Sequence, residues 1–547
     1  LAVSAVLLAA VALLLATSPI GYDFVNSDSP RHALNGAFVL DAVRAFPWRD
    51  PMGYAADYYI RYPSLSIGFY PPLFYMAEAV VYAVIGVSHF AAQLTVALFT
   101  LLLAGSAYRL GRIFLSRWPA LAATLLLLGA PVMALWSRQV MLDIPAAALL
   151  MLAVLGFARY LRRERQADLW LATLALVAAL YIKFTVCFVA VPLMAGLIAR
   201  RGVRSLIDRR IILAAIVALV LALPAAWLTY KFGSVNLDNL NGRAAGEPID
   251  SLDRWTYYLR QLPDQLGWLT VLLAVPGSVV LWRRAREAAG TWLPVLLTTW
   301  FVWGYLFFSA IRVHEARHDL MILFPVILAA VSALTALPLV SVGMSAGPVL
   351  GGGTLIWSLV TPVPRVEGYA AITREVAAVA PPEAIVLFSA FRDGNFVFAM
   401  RAIGNRPDIK VLRANKWLLR FAVDRHWGVG QAAYDQAGLA ATIHDHGIAV
   451  AVAQRGFWVD LQQMALLQQV LRDPANWRSV ASMPISGDLV PDEFPPKEPA
   501  CAAAADPGCG ENTLDIVLPL APPVADRQPI EFDLPFLNRH LREHNAP

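Results

Sequence analysis

The chain has 547 residues, of which 58% are hydrophobic and only 15% charged, with a formal net charge of +5. A charged share so far below the roughly one quarter of ordinary soluble domains excludes a soluble enzyme and implies a polytopic membrane protein. The arginines stand in short clusters between apolar runs, so the positive charge reports topology and gives no indication of nucleic-acid binding.

In chain order, the first apolar run, Leu1 to about Ile20, has the length of a signal peptide. Pro19, directly after the small residues Ala16, Thr17 and Ser18, disfavours cleavage, and the run is read as an uncleaved first helix. Further apolar windows at about 90–108, 118–136, 144–161, 168–182, 184–199, 211–230, 263–282, 291–311, 319–338 and 340–360 bring the expected total to about eleven transmembrane helices. Cys187, inside one of these runs, is read as a small packing residue.

Arginines fall in alternate short loops: Arg109/Arg112/Arg117, Arg159/Arg162/Arg163/Arg165, Arg200/Arg201/Arg204/Arg209/Arg210 and Arg283/Arg284/Arg286. The positive-inside rule makes these loops cytoplasmic. The intervening ones, 21–89, 137–143, Lys183, 231–262 and 312–318, together with everything after about 361, then lie outside. The apolar stretch Pro71 to Val87 is short, begins with two prolines and contains Glu78. If it crossed, every later arginine cluster would change sides, so it is expected to lie along the outer surface, as does a helix around 29–45. The aromatic segment between them (Tyr54, Tyr58, Tyr59, Tyr62, Phe69, Tyr70) is read as an interfacial belt.

After 361 amphipathic helices (Tyr369/Ile372/Val376/Val379; Leu461/Met464/Leu467/Leu471) alternate with strand-like runs at 385–388, 410–412, 448–453 and 513–518, which predicts a soluble α/β domain. The expected division is therefore a membrane module over 1–360, with a large first outer loop at 21–89, and an extracytoplasmic domain over 361–547. Cys501 and Cys509 bracket a Pro/Ala-rich insertion, where either a local disulfide or two unpaired thiols fits. No internal repeat is found, which disfavours transporter folds built by duplication.

By this topology the outer face collects Asp28, Arg31, Asp143, Lys183, Arg312, His314, Glu315, Arg317 and His318 near helix ends, a mixture no cytoplasmic loop carries. Taken singly, each has a structural explanation: Asp28 and Asp143 as N-caps ahead of Pro30 and Pro145, and Lys183 as a snorkelling lysine. Taken together they supply an acid and phosphate-binding cations. Glycosyl transfer from a phosphate leaving group needs both, the acid to take the acceptor proton and the cations to absorb charge on the departing phosphate.

Four motifs, Asp28-Ser-Pro-Arg31, Tyr70-Pro-Pro-Leu73 leading into Gly86-Val-Ser-His-Phe90, Val140-Met-Leu-Asp143 and Ile182-Lys183-Phe184, resemble in order those of the GT-C glycosyltransferases. The resemblance covers about 1–335 and is nearest to the protein mannosyltransferases and the lipid A aminoarabinose transferases. It implies Asp28 as catalytic base with Asp143 as a second acid. Arg31, Lys183 and Arg312 or Arg317 would hold the phosphate of a polyprenyl-phosphate sugar, and His318 would stand where a tyrosine is common. Tyr70 occupies the place of a lysine in the aminoarabinose transferases, which weakens any assignment of that sugar or of lipid A as acceptor.

The expected function is an inverting transfer of a sugar from a polyprenyl-phosphate carrier to a glycan, lipid or protein acceptor at the outer face of a bacterial inner membrane. A lipid or solute transporter, or flippase, is the alternative, and a sensor or assembly protein is a third class. Charged residues are sparse inside the spans, whereas a translocation path would place them there. No cofactor is expected. His314, Glu315 and His318 have only an i, i+4 pair to offer a divalent ion, and are read as solvated loop residues.

Overall fold

The computed structural model describes residues 2–21, 23–232, 249–311, 313–336, 340–404, 406–421, 428–487, 513–524, 526–534 and 539–542. Arg312, Cys501 and Cys509 lie outside the described residues. The chain forms two compact units, one of residues 1–18, 68–74 and 93–363, the other of 19–67, 75–92 and 364–547. The second unit thus joins most of the long first loop to the C-terminal region, whereas the expected division at 360 grouped that loop with the membrane helices.

Among its described residues the first unit has helices and no strand. Each apolar window has its helix or broken helix, among them Asp143–Arg163, Arg209–Phe232, Trp292–Ala310 and Val340–Val360. Among the described residues five helices are long and apolar enough to cross a bilayer, seven if two bent pairs each count as one span, and shorter apolar helices accompany them. The chain is a multi-pass membrane protein. The window expected at 263–282 is displaced: Gly267, at φ 81°, ends an amphipathic helix Leu252–Leu266, and a separate apolar helix Trp268–Ala289 leaves it at 114°. A positive φ is open to glycine at little cost, so the break falls there and not at Pro263. Cys187, expected to pack, is exposed.

Between membrane helices close approach requires small residues, because lipid removes the hydrophobic drive to associate. A Cβ on Gly129 would come within 2.5 Å of the Leu355 backbone nitrogen, and one on Gly351 within 2.6 Å of the Ala122 carbonyl oxygen. These glycines let Arg117–Gly129 and Val340–Val360 pack backbone to backbone.

The second unit is built on a five-stranded mixed sheet in the order Lys410–Arg413, Ile385–Ser389, Ile448–Gln454, Thr513–Pro519, Trp477–Pro484. The first three strands are parallel and the last two join antiparallel. The expected runs are all strands; Trp477–Pro484, whose residues beyond Trp477 are exposed or half-exposed, had no buried alternation to reveal it. The first-loop segments are bonded to this layer. Asp23 bridges Val366, and its carboxylate accepts from the Tyr369 and Ala370 N–H groups at 2.7 and 3.1 Å. Burial pushes that carboxyl up to about 6 despite these bonds. The Asp41 carboxylate takes both Nε and Nη2 of Arg401, at 2.7 and 2.6 Å, as well as the Tyr58 hydroxyl at 2.9 Å. Helix Pro51–Arg61, capped by Asp50, turns Tyr58 into the unit, and Tyr58 and Tyr62 are 4% and 3% exposed. They are packing residues, not the interfacial belt expected from sequence.

Gly129→Ala and Gly351→Ala are each expected to destabilise the protein by about 1–3 kcal/mol through overpacking. Gly352→Ala, whose Cβ would meet nothing within 4 Å, is expected to be neutral. Thermal unfolding of the purified protein in detergent checks this, and equal melting temperatures for all three would refute the close-packing role.

Candidate active site

In the first unit Asp143 opens helix Asp143–Arg163 without capping it; Leu142 holds the cap position. The Asp143 side chain is 2% exposed and meets the Lys183 ammonium at 2.6 Å. Lys183 stands in extended backbone, between Gln166–Leu180 and the 3-10 turn Phe184–Val189. The lysine is thus turned inward, with 13% of its side chain exposed, and does not snorkel. A buried carboxylate and ammonium compensate each other's desolvation, and removing either leaves a costly lone charge.

Arg317 and His318 share the field of this pair. Arg317 is held by Glu315 at 2.7 Å and lies over the Trp136 ring at 5.1 Å. His318 has Nδ1 at 3.2 Å from the Val313 carbonyl, so Nδ1 carries the proton. Burial, reinforced by Lys183, lowers His318 to about 3, against the opposing pull of Asp143. The imidazole is therefore neutral at physiological pH, with a lone pair left at Nε2. Tyr70 lies on a short segment whose Leu73 N–H donates to the Tyr181 carbonyl at 3.0 Å, two residues before Lys183.

The 313–319 segment owes its position to helix Leu252–Leu266, which sequence reasoning left inside a loop. Arg254 donates to the Ser309 and Ala310 carbonyls, Gln265 donates to Ala316 and Asp319, and Tyr257 and Tyr258 flank the His314 ring. The spacing Arg254, Tyr258, Leu262, Gln265 along one face is a helical period that could have revealed it. Among the described residues no three His, Cys, Asp or Glu side chains are grouped to hold a metal, His314, Glu315 and His318 included.

In the second unit Asp28 occupies the cap position of helix Ser29–Ala45, yet its side chain makes no cap bond. It lies 3.5 Å from Arg31, each side chain about one third exposed. The expected pairing of acid and cation is therefore present, while the capping explanation is not. Gly394 packs against Pro30, and Asn395 bonds both the N–H and the carbonyl of Phe24, which fixes helix Asp393–Ala399 beside this turn.

Around Arg31 the C-terminal region adds groups no first-loop motif could disclose. Asp393 accepts from Ser64 at 2.8 Å and pairs with Arg413 at 3.0 Å. Burial would raise the Asp393 carboxyl, but Arg413, Arg31, Ser64 and Lys416 together hold it below the usual carboxylate range. Burial, then Arg413 and Arg31, lowers the Lys416 ammonium to about 7. Asp393, Arg413 and Lys416 follow or end the parallel strands Ile385–Ser389 and Lys410–Arg413. Carboxyl ends of parallel strands are where α/β sheets bind ligands.

Comparison with known proteins gives the same architecture. Residues 70–229 match the dolichyl-phosphate-mannose-protein mannosyltransferase family. ArnT from Cupriavidus metallidurans, solved bound to undecaprenyl phosphate, is similar with a TM-score of 0.59 at 15% identity, over 83% of this chain and 93% of that one. The arabinofuranosyltransferase AftD from Mycobacteria gives 0.54 at 14% identity, over 97% of this chain and 41% of that one. The archaeal oligosaccharyltransferase AglB from Archaeoglobus fulgidus, solved with an inhibitory peptide and a dolichol-phosphate, gives 0.50 at 11% identity, over 90% of this chain and 75% of that one. No curated protein matches the chain significantly in sequence. The chain thus has the fold of ArnT, AftD and AglB, and its residues 70–229 match the dolichyl-phosphate-mannose-protein mannosyltransferase family.

Proposed function

We propose that the protein is an inverting glycosyltransferase that moves a sugar from a polyprenyl-phosphate carrier to an acceptor at the outer face of a bacterial inner membrane. The observation that carries this reading is the one-third-exposed Asp28 carboxylate, which makes no cap bond to its helix, with the Arg31 guanidinium 3.5 Å away. ArnT and AglB were solved with undecaprenyl phosphate and dolichol-phosphate respectively, which supports a donor of that class here. The alternation of arginine clusters supports an outer location for Asp28 and for residues after 361.

In the proposed reaction the acceptor oxygen attacks the anomeric carbon while Asp28 takes its proton. The bond from that carbon to the phosphate oxygen breaks with its electron pair leaving on the phosphate. With no enzyme nucleophile the configuration inverts. Arg31 and Lys183 are assigned to phosphate, with Arg317 as a further cation, and Arg312 keeps the same assignment on sequence grounds alone. Asp143 is assigned to holding the Lys183 ammonium charged and oriented in its apolar surroundings. His318, neutral by its surroundings, can offer a hydrogen-bonding nitrogen but no charge. Tyr70 is proposed to contact substrate near Lys183. No metal ion is proposed for this chemistry.

Asp28→Asn is expected to lower transfer by at least about a hundredfold, the scale of a lost general base, while leaving the melting temperature unchanged. Near-normal turnover with a labelled polyprenyl-phosphate sugar would sink the assignment. Lys183→Met is expected to weaken donor binding about tenfold or more and to lower stability, because Asp143 loses its partner. The second-site variant Asp143→Asn in that background should recover the stability and not the binding; recovery of both would make the lysine purely structural. Lys416, lowered to about 7, carries its charge below that pH and loses it above. If the Arg31 cluster receives an anionic group, KM should rise between pH 6 and 8, and Lys416→Arg should flatten that rise; identical profiles for the two proteins would exclude Lys416 from binding.

A further inference from the structure

Helix Asp143–Arg163 has 21 residues, a length of about 30 Å, so its arginine end lies a full hydrocarbon thickness away from Asp143. At that end is a cavity of about 330 Å³ lined by Arg109, Arg112, Arg159, Arg162 and Arg163. The volume is at the lower end of the roughly 300–1,000 Å³ typical of small-molecule sites. Two helix ends supply the guanidiniums, His89–Gly111 and Asp143–Arg163. Among the described residues, one carboxylate answers them: Asp168, 5% exposed, pairs with Arg159 at 2.9 Å. Arg112 donates to the Leu115 carbonyl at 3.0 Å.

Orientation by arginine needs the charges only in the loop. It does not need five of them around one cavity, where like charges repel and side-chain freedom is lost. Ile113 and Leu155 complete the lining, so the cationic cradle has an apolar side. A multiply charged anion that carries its own apolar chains satisfies both features, and guanidinium pairs with phosphate oxygens in bidentate fashion. We infer that this cavity binds the head group of an anionic membrane lipid, with preference for one bearing more than one phosphate. Basic pockets between membrane helices are known to take such head groups. The site is separate from the transfer chemistry and does not depend on the function proposed above.

The test uses the full-length protein, delipidated in detergent and examined by native mass spectrometry with added cardiolipin, phosphatidylglycerol, phosphatidylethanolamine or undecaprenyl phosphate. The expected result is one tightly held cardiolipin per chain, with at least tenfold preference over phosphatidylethanolamine. Arg109→Gln with Arg162→Gln should reduce its occupancy at least tenfold, while Arg209→Gln with Arg283→Gln, which changes as much charge in other clusters, should leave it unaltered. Should the first pair fail to insert, Arg109→Lys with Arg162→Lys keeps the topogenic charge, and the loss of bidentate geometry should still weaken binding. Equal loss in both pairs, or no preference among the lipids, would overturn the site. Stronger retention of undecaprenyl phosphate, or displacement by millimolar inorganic phosphate, would overturn its assignment to a membrane phospholipid.

Discussion

A carboxylate at the end of an apolar helix has to be answered by a cation, and that constraint organises the candidate site of the membrane unit. Asp143 is almost wholly enclosed, and Lys183 reaches it from a joint where the helical backbone is interrupted. An unbroken helix would carry Lys183 on a fixed helical face. The extended backbone at Lys183 turns the ammonium toward Asp143 instead. The pair then sets the charge on its surroundings, with Arg317 restrained by Glu315 and Trp136 and His318 kept neutral beside it. The position of that segment in turn rests on Arg254 and Gln265 of the Leu252–Leu266 helix.

The second unit solves a related problem with residues far apart in sequence. Asp23, Asp41 and Asp393 each tie the first loop to the C-terminal layer, by a helix-end cap, a bidentate guanidinium pair and a hydrogen bond accepted from Ser64 respectively. None of these carboxylates has a local partner that would explain it. Their consequence is that Arg31 belongs to a cluster containing Arg413 and Lys416, which end or follow a parallel strand. A sheet that delivers charged residues at its strand ends adds Arg413 and Lys416 to the Arg31 that the first loop supplies.

Much of the fold was legible because each apolar run is long and each strand buried. Helix Ser29–Ala45 falls where Pro30 and the following residues place it, and Ile448–Gln454 is buried along its whole length. The edge strand Trp477–Pro484 and the helix Leu252–Leu266 were not, the first because most of its residues are exposed, the second because its polar half resembles a loop. Tyr58 and Tyr62 were misread for a different reason: tyrosines suit a membrane interface and a protein interior alike, and for Tyr58 the Asp41 and Phe38 contacts separate the two.

By itself the sequence determined the membrane class, the arrangement of apolar spans, the strands of the sheet and the residues Asp28, Arg31, Asp143, Lys183, Arg317 and His318 as candidates, since hydropathy, charge alternation and motif order are all local quantities. Tertiary structure decided which of those charges are partners. It replaced two helix caps and a snorkelling lysine with the pairs Asp28–Arg31 and Asp143–Lys183, and it brought Asp393, Arg413 and Lys416 to Arg31. The physical reason is that Coulomb interactions and desolvation depend on distance in space and on burial, and neither is written in the spacing of residues along the chain.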